Sequence, residues 1–228
     1  SGQGSIRMFN AALAATPAGA EMLKGPLTAD AINSEEFADA FRTVATLDQQ
    51  NGSANSSVNA NDFAADFNNG LSAVFINGVW GASQFAGSDN FVSCIYPNSV
   101  AISSANTGLY VANDLSDAQK ELALEFIKYM TSEEVQSRYF LETSSNPINE
   151  NVDIQKLAQE SGDPTALKLA EACDKCNKAD TIVLAIDVCW GNDVGGALQN
   201  KFAECAVAGT DIEAKLAELQ AELTALIG

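Results

Sequence analysis

The sequence predicts an α/β, helix-rich fold with a short sheet, and three observations predict it. Helical periods open on capping residues, as where Asn33 and Glu36 precede Phe37, Phe41, Val44 and Leu47 on one face. Short apolar runs bounded by turn residues, such as Leu71 to Ile76 before Asn77-Gly78, read as strands. Apolar residues make up 46% of the 228, ample for a core in one large domain or two small ones.

In chain order, Ser5 to Leu23 is Ala-rich and helical in spacing, interrupted at Pro17 and closed by Gly25-Pro26. The helix Asn33 to Leu47 follows. The polar stretch DQQNGSANSSVNAND is a loop in which Asn51-Gly-Ser and Asn55-Ser-Ser match the glycosylation triplet, as loop composition does by chance. A short helix, Asp62 to Phe67, stops at Asn69-Gly70. Strands are expected at Leu71 to Ile76, Phe91 to Tyr96 and Gly108 to Val111.

Ser116 and Gln119 form a capping box ahead of a helix expected to bury Leu122, Phe126, Ile127 and Met130. Thr131 and Glu134 cap the next, which carries Val135, Tyr139 and Phe140, and a loop around Pro147 follows. Asp163-Pro164 opens a helix through Cys176, with proline at its first position. DTIVLAIDV reads equally as a strand or a buried helix. A helix from Gly195 to Ala208 precedes one capped by Thr210 and Glu213. There Leu216, Leu219, Leu223 and Leu226 suit packing onto the same domain better than a coiled-coil seam, since the heptad pattern is so short.

Charge and composition narrow the function. Thirty acidic against 12 basic residues leave a net charge of −18, with only Arg7, Lys24 and Arg42 basic up to Asp114. Phosphate binding needs clustered Lys and Arg, so no nucleic-acid partner is expected. The acidic surface reads as solubilising. No histidine occurs, which removes Ser-His-Asp and Cys-His catalysis and histidine metal ligands together. No enzyme, no catalytic residue, no metal and no cofactor are expected. No apolar run approaches the roughly 18 residues that span a bilayer, and no basic start leads into an apolar segment.

Three pieces in order carry a resemblance: FNNGLSAVFINGVW at 67–80, AQKELALEFIKYMTSEEVQSRYF at 118–140, and then Pro147. The chain resembles the extracellular solute-binding proteins of ABC transporters, the family 1 group that includes maltose-binding protein. The resemblance runs from about Asn33 to the C-terminus. It implies the C-terminal lobe of a type II periplasmic-binding-protein fold with a partial first-lobe segment. Residues 1–104 would form the first part of the second lobe, 105–147 a return segment like first-lobe strand and helices, and 148–228 the C-terminal helices of the second lobe. Family members are longer, and their opening strand–helix units are not in these residues. The implied function is binding of a solute, expected to be an oligosaccharide, in an interlobe cleft and delivery to the permease of an ABC importer. The only membrane contact implied is a lipid anchor outside these residues, placing the protein at the cell surface or in the periplasm. The alternative is a non-transport surface module that binds another protein through its acidic face or terminal leucine helix. A carboxylate-based glycosidase needs two carboxylates across a sugar site, and nothing marks such a pair.

The resemblance also nominates ligand-binding residues. Trp80 matches the position where an aromatic ring stacks on the ligand, and the competing reading is a tryptophan capping a lobe core. Asn77 and Gly78 read first as turn formers and second as ligands. Trp190, in VCWGNDVGG, resembles a second aromatic presented to the cleft. Asn192 and Asp193 are placed to hydrogen-bond sugar hydroxyls, although an N-cap is the preferred role for Asp193. The five cysteines are Cys94, Cys173, Cys176, Cys189 and Cys205. Structural disulfides rank first for them, free thiols second and a metal third, with Cys94 the odd one out in its apolar strand.

Overall fold

The computed structural model describes residues 3–51, 60–85, 91–104, 108–143 and 145–228. The helices, in order, are α1 Gln3–Ala14, α2 Pro17–Met22, α3 Ala29–Ile32, α4 Glu35–Asn51 and α5 Ala60–Asn68. They continue as α6 Asp117–Met130, α7 Glu133–Thr143, α8 Ile154–Ser161, α9 Pro164–Asn177, α10 Ile186–Cys189, α11 Asn192–Cys205 and α12 Ile212–Ile227. Two strands, β1 Val100–Ser103 and β2 Thr181–Leu184, pair in parallel with Val100 opposite Thr181 and Ser103 opposite Leu184. The segment 181–189 is thus both a strand and, past Ala185, a short helix.

Contacts divide the chain into two units. The first comprises 1–76, 95–105 and 178–228, and the second 77–94 and 106–177. Within the second unit α8 and α9 share a core with Ala82 and Phe140.

The first unit is built on aromatic rings. Ile6, Phe9, Asn10 and Leu13 recur at helical spacing on the buried face of α1, and Phe37, Phe41 and Val44 do the same on α4. Leu47, one turn further, emerges into solvent. Phe202 of α11 stacks on Phe41 at 5.0 Å and lies 5.9 Å from Phe9, while Phe37 meets Phe9 edge-on at 5.1 Å. Leu216, Leu219 and Leu223 bury α12 against this core and leave Leu226 exposed, so the last helix packs on its own unit.

A buried polar group ties the first unit's distant segments together. Asn10, fully inaccessible, donates through Nδ2 to Leu184 O at 3.3 Å and accepts Ile186 N–H at 3.0 Å. It thereby satisfies backbone groups where β2 turns into α10. Gly19 is required by close approach, since a Cβ there would lie 2.0 Å from Leu13 O.

In the second unit Phe140, Ala158, Ala166, Leu169, Ala170 and Cys173 form the core. Buried Gln136 donates to Met130 O at 2.8 Å and accepts Ile148 N–H at 2.9 Å, holding the loop around Pro147. Lys168 and Lys175 of α9 donate to the carbonyls of Phe91 and Ser93, pinning that stretch along the helix.

Several expectations are corrected. No strand forms at 71–76, at 91–96 (where Tyr96 makes only an isolated bridge to Val100) or over 108–111, because these runs have no ladder partner among the described residues. The apolar side of α6 is not buried: Leu122 is 72% exposed and Phe126 and Tyr129 55% each. Nothing among the described residues covers that stripe. Helix starts shift by a residue where two capping types adjoin. Ser34 rather than Asn33 caps α4, Ser132 rather than Thr131 caps α7, and Asp211 rather than Thr210 caps α12. Thr131 instead ends α6, donating its hydroxyl to Ile127 O. The Ser116–Gln119 box and the Asp163-Pro164 start form as expected. So does the end of α5, where Gly70 at φ 72° lets Leu71 N–H reach Asp66 O. The glycosylation triplets, apart from Asn51 at the end of α4, lie outside the described residues.

The cysteines are all free, so the free-thiol reading replaces the structural disulfides expected first. Cys94 is exposed and not in a strand. Burial pushes the Cys173 thiol up to about 12 and those of Cys189 and Cys205 up to about 11. Such thiols are protonated at neutral pH and serve as packing groups rather than nucleophiles.

Candidate functional site

The nominated residues fall in both units. In the second, Val79–Phe85 forms a 3-10 turn that carries Trp80, 55% exposed. The stretch INGVW is explained by ring placement. The indole lies across Gly78, so that a Cβ there would stand 2.2 Å from two ring carbons. Only glycine leaves room, and the ring is held open to solvent by its own backbone. Asn77 sets the turn: its Oδ1 accepts Gly78 N–H at 2.9 Å, and its amide packs beside Gly81. Gly81 N–H in turn donates to Gly78 O at 2.9 Å.

In the first unit Trp190 ends α10. It is only 8% exposed, its ring stacks on Phe37 at 6.3 Å, and its N–H donates to Met22 O at 3.3 Å. Little ring face is left to lie against a ligand. What Trp190 does is fix the point from which the chain turns through Gly191, at φ 92° and ψ 163°, a conformation open essentially to glycine. That turn starts α11 three residues earlier than expected. Asn192 and Asp193 are both exposed in its first turn. Neither is the N-cap: Gly191 holds that position and no side chain caps the helix. Asp193 is still favourably placed, because a carboxylate in the first turn complements the helix dipole.

Sequence reasoning missed the groups beside Asn192. Arg7 of α1 and Asp187 of α10, 180 residues apart, form a two-pronged ion pair at 2.7 and 3.2 Å. Both side chains are about three-quarters buried. The Arg7 guanidinium holds the Asp187 carboxyl below its usual range against the opposing effect of burial. With Asn192 and the glycines of α11 they border a hollow of about 160 Å³. No sequence signal marks such a long-range pair.

Asp187 is more acidic folded than unfolded, so its contribution is present above about pH 4, the unfolded carboxylate value, and is lost as pH falls through the folded value. Arg7→Met should cost about 1–2 kcal/mol at neutral pH, between exposed and fully buried pairs. Denaturant midpoints of the two proteins should converge below about pH 4; a gap unchanged by acid would mean that Arg7 acts by packing alone.

Among the described residues no group of carboxylates and thiols is arranged to hold a metal, and no helix is long and apolar enough to cross a membrane. The second unit thus presents an exposed indole, and the first unit polar side chains around a hollow.

Comparison with known proteins identifies the family. Residues 3–165 match the profile of the bacterial extracellular solute-binding proteins, and the chain belongs to that family. Its structure is similar to a Streptococcus pneumoniae solute-binding protein solved in complex with the blood group A-trisaccharide. The two are 39% identical, with a TM-score of 0.90 over 97% of this chain. The chain spans 57% of that protein's length. No curated protein matches.

Proposed function

We propose that the protein binds an oligosaccharide and delivers it to the permease of an ABC importer, held at the cell surface by a lipid anchor outside these residues. The observation that carries this reading is Trp80, an exposed indole whose ring is oriented by Gly78, in a chain 39% identical to a trisaccharide-bound relative. A flat apolar face suits the C–H face of a pyranose and the indole N–H suits a hydroxyl. Within the first unit Asn192 and Asp193 offer hydroxyl-binding groups on the helix start that Trp190 fixes, and within the second Asn77 sets the turn that carries Trp80. Calorimetric titration with a panel of oligosaccharides, the blood group A-trisaccharide among them, is expected to give saturable heat. Heat only with peptides or ions would remove the carbohydrate assignment and leave the family membership standing.

One observation favours the second reading, a module that binds another protein. Leu122, Phe126 and Tyr129 recur at i, i+4 and i+7 along α6 and are all exposed, the pattern of a helix face with a partner. Light scattering distinguishes the readings, since a protein-binding module should self-associate or form a stable complex without any sugar.

A further inference from the structure

We propose that Asn77 is a site of spontaneous covalent modification. The Gly78 amide nitrogen closes on the Asn77 side-chain carbon, and the succinimide so formed opens to isoaspartate and aspartate, resetting the turn that carries Trp80. This chemistry needs only the chain itself and water, and does not depend on what the protein binds.

Asparagine is a thermolabile side chain, most of all before glycine, where no side chain hinders the attacking nitrogen. The sequence has three Asn-Gly pairs, at 51–52, 69–70 and 77–78. Gly52 lies outside the described residues. The other two pairs differ in what holds the glycine nitrogen. Gly70 closes α5: its N–H donates to Phe67 O at 3.0 Å, with Leu71 N–H on Asp66 O beside it. That nitrogen is committed to a helix end. At 77–78 the Gly78 N–H donates instead to Oδ1 of Asn77 itself, at 2.9 Å. The carbon to be attacked is bonded to that oxygen, so nucleophile and electrophile are already folded onto each other, as a near-attack geometry requires.

Two glycines maintain this arrangement. Position 78 has to be glycine because the Trp80 indole occupies the space of a Cβ, 2.2 Å from two ring carbons. Gly81 flanks the asparagine: a Cβ there would stand 3.2 Å from Nδ2 and 3.4 Å from Cγ, so the amide rests against bare backbone. Asn77 is exposed, which gives water and hydroxide access. The residue that makes room for the indole is thus the one that leaves the asparagine open to attack.

The conversion consumes one water and releases one ammonia. Solvent base removes the Gly78 amide proton, the nitrogen bonds to Cγ, the Cγ–Nδ2 bond breaks, and Nδ2 leaves as ammonia with a proton from solvent. Water then opens the imide. Cleavage between the nitrogen and Cγ gives aspartate. Cleavage between the nitrogen and the main-chain carbonyl carbon gives isoaspartate, whose chain runs through Cβ and Cγ. Either product carries a carboxylate, ionised at neutral pH, where an amide stood. Isoaspartate also makes the main chain one methylene longer, which moves Gly78 relative to the ring that lies across it.

The test is incubation of the full chain at physiological temperature in mildly alkaline buffer, sampled over days, with chymotryptic peptides read by tandem mass spectrometry. Cleavage after Phe67, Leu71, Phe75 and Trp80 separates 68–71 from 76–80. Asn77 should convert at least about tenfold faster than Asn69, with isoaspartate and aspartate both present. Asn77→Gln should abolish conversion at that position, because its side chain can close only through a larger, slower-forming ring. Unfolding in urea should bring the two rates together, since the hydrogen bonds that distinguish the pairs are lost. Equal rates in the folded protein, or a gap that survives urea, would overturn the assignment. The iodide-quenchable part of the tryptophan emission belongs to Trp80, since Trp190 is only 8% exposed, and it should shift as isoaspartate accumulates. Unchanged emission at full conversion would overturn the effect on Trp80.

Discussion

Trp80→Ala should reduce oligosaccharide binding by at least about 30-fold, corresponding to about 2 kcal/mol or more for an aromatic anchor. The fold should be nearly unaffected, because the indole is more than half exposed and contributes nothing to either buried cluster. Trp80→Phe should recover part of the affinity, since it keeps a flat ring and loses only the N–H and the larger face. The measurement is titration calorimetry with thermal unfolding as the control. An alanine variant that binds as tightly as the original would dismiss Trp80 as a ligand platform. A second substitution separates ring from backbone. Gly78→Ala puts a methyl group where the indole lies, so it should displace the ring and weaken binding even though Trp80 remains.

The largest stability effect is expected at Phe202. Its ring is inaccessible and touches both Phe9 and Phe41, joining α1, α4 and α11 at one point. Phe202→Ala should cost about 3–5 kcal/mol, the lost transfer energy plus the cavity that remains. That is a large fraction of the roughly 5–15 kcal/mol that a domain has in total. Urea unfolding followed by Trp190 fluorescence should show an early transition, because Trp190 lies in the same cluster through Phe37. The second unit has a separate core around Phe140 and should melt as before. A loss below about 1 kcal/mol would place the organising contacts elsewhere in the first unit.

The helices of the first unit were legible because their periodicity and their burial coincide: Phe37, Phe41 and Val44 read as one face and are one face. Cap positions were legible only to within a residue. Asn33-Ser34, Thr131-Ser132 and Thr210-Asp211 each offer two capping side chains, and only backbone geometry decides between them. Strands were over-read. Leu71 to Ile76 has the apolar character of a strand, but a strand exists only with a partner, and partnership is a long-range property. The same limit explains α6, whose pattern requires a covered face without revealing where the cover comes from. At the candidate site, the turn placement of Trp80 correctly suggested exposure. Trp190 looked equivalent by composition, yet its N–H is used by Met22 and its face by Phe37. Arg7 and Asp187 were invisible as a pair, since nothing local links residues 180 positions apart.

The dispersed construction of the first unit has a consequence for biogenesis. Residues 1–76 cannot bury their rings until 95–105 supply β1 and 178–228 supply β2, Phe202 and the leucines of α12. Contacts that bridge such separations form late and slowly. A ribosome must therefore reach the segment 178–228 before this unit closes, and in that interval the first unit stays incompletely packed. Late closure of this kind suits passage through a secretion channel, which a member of an extracellular family has to make.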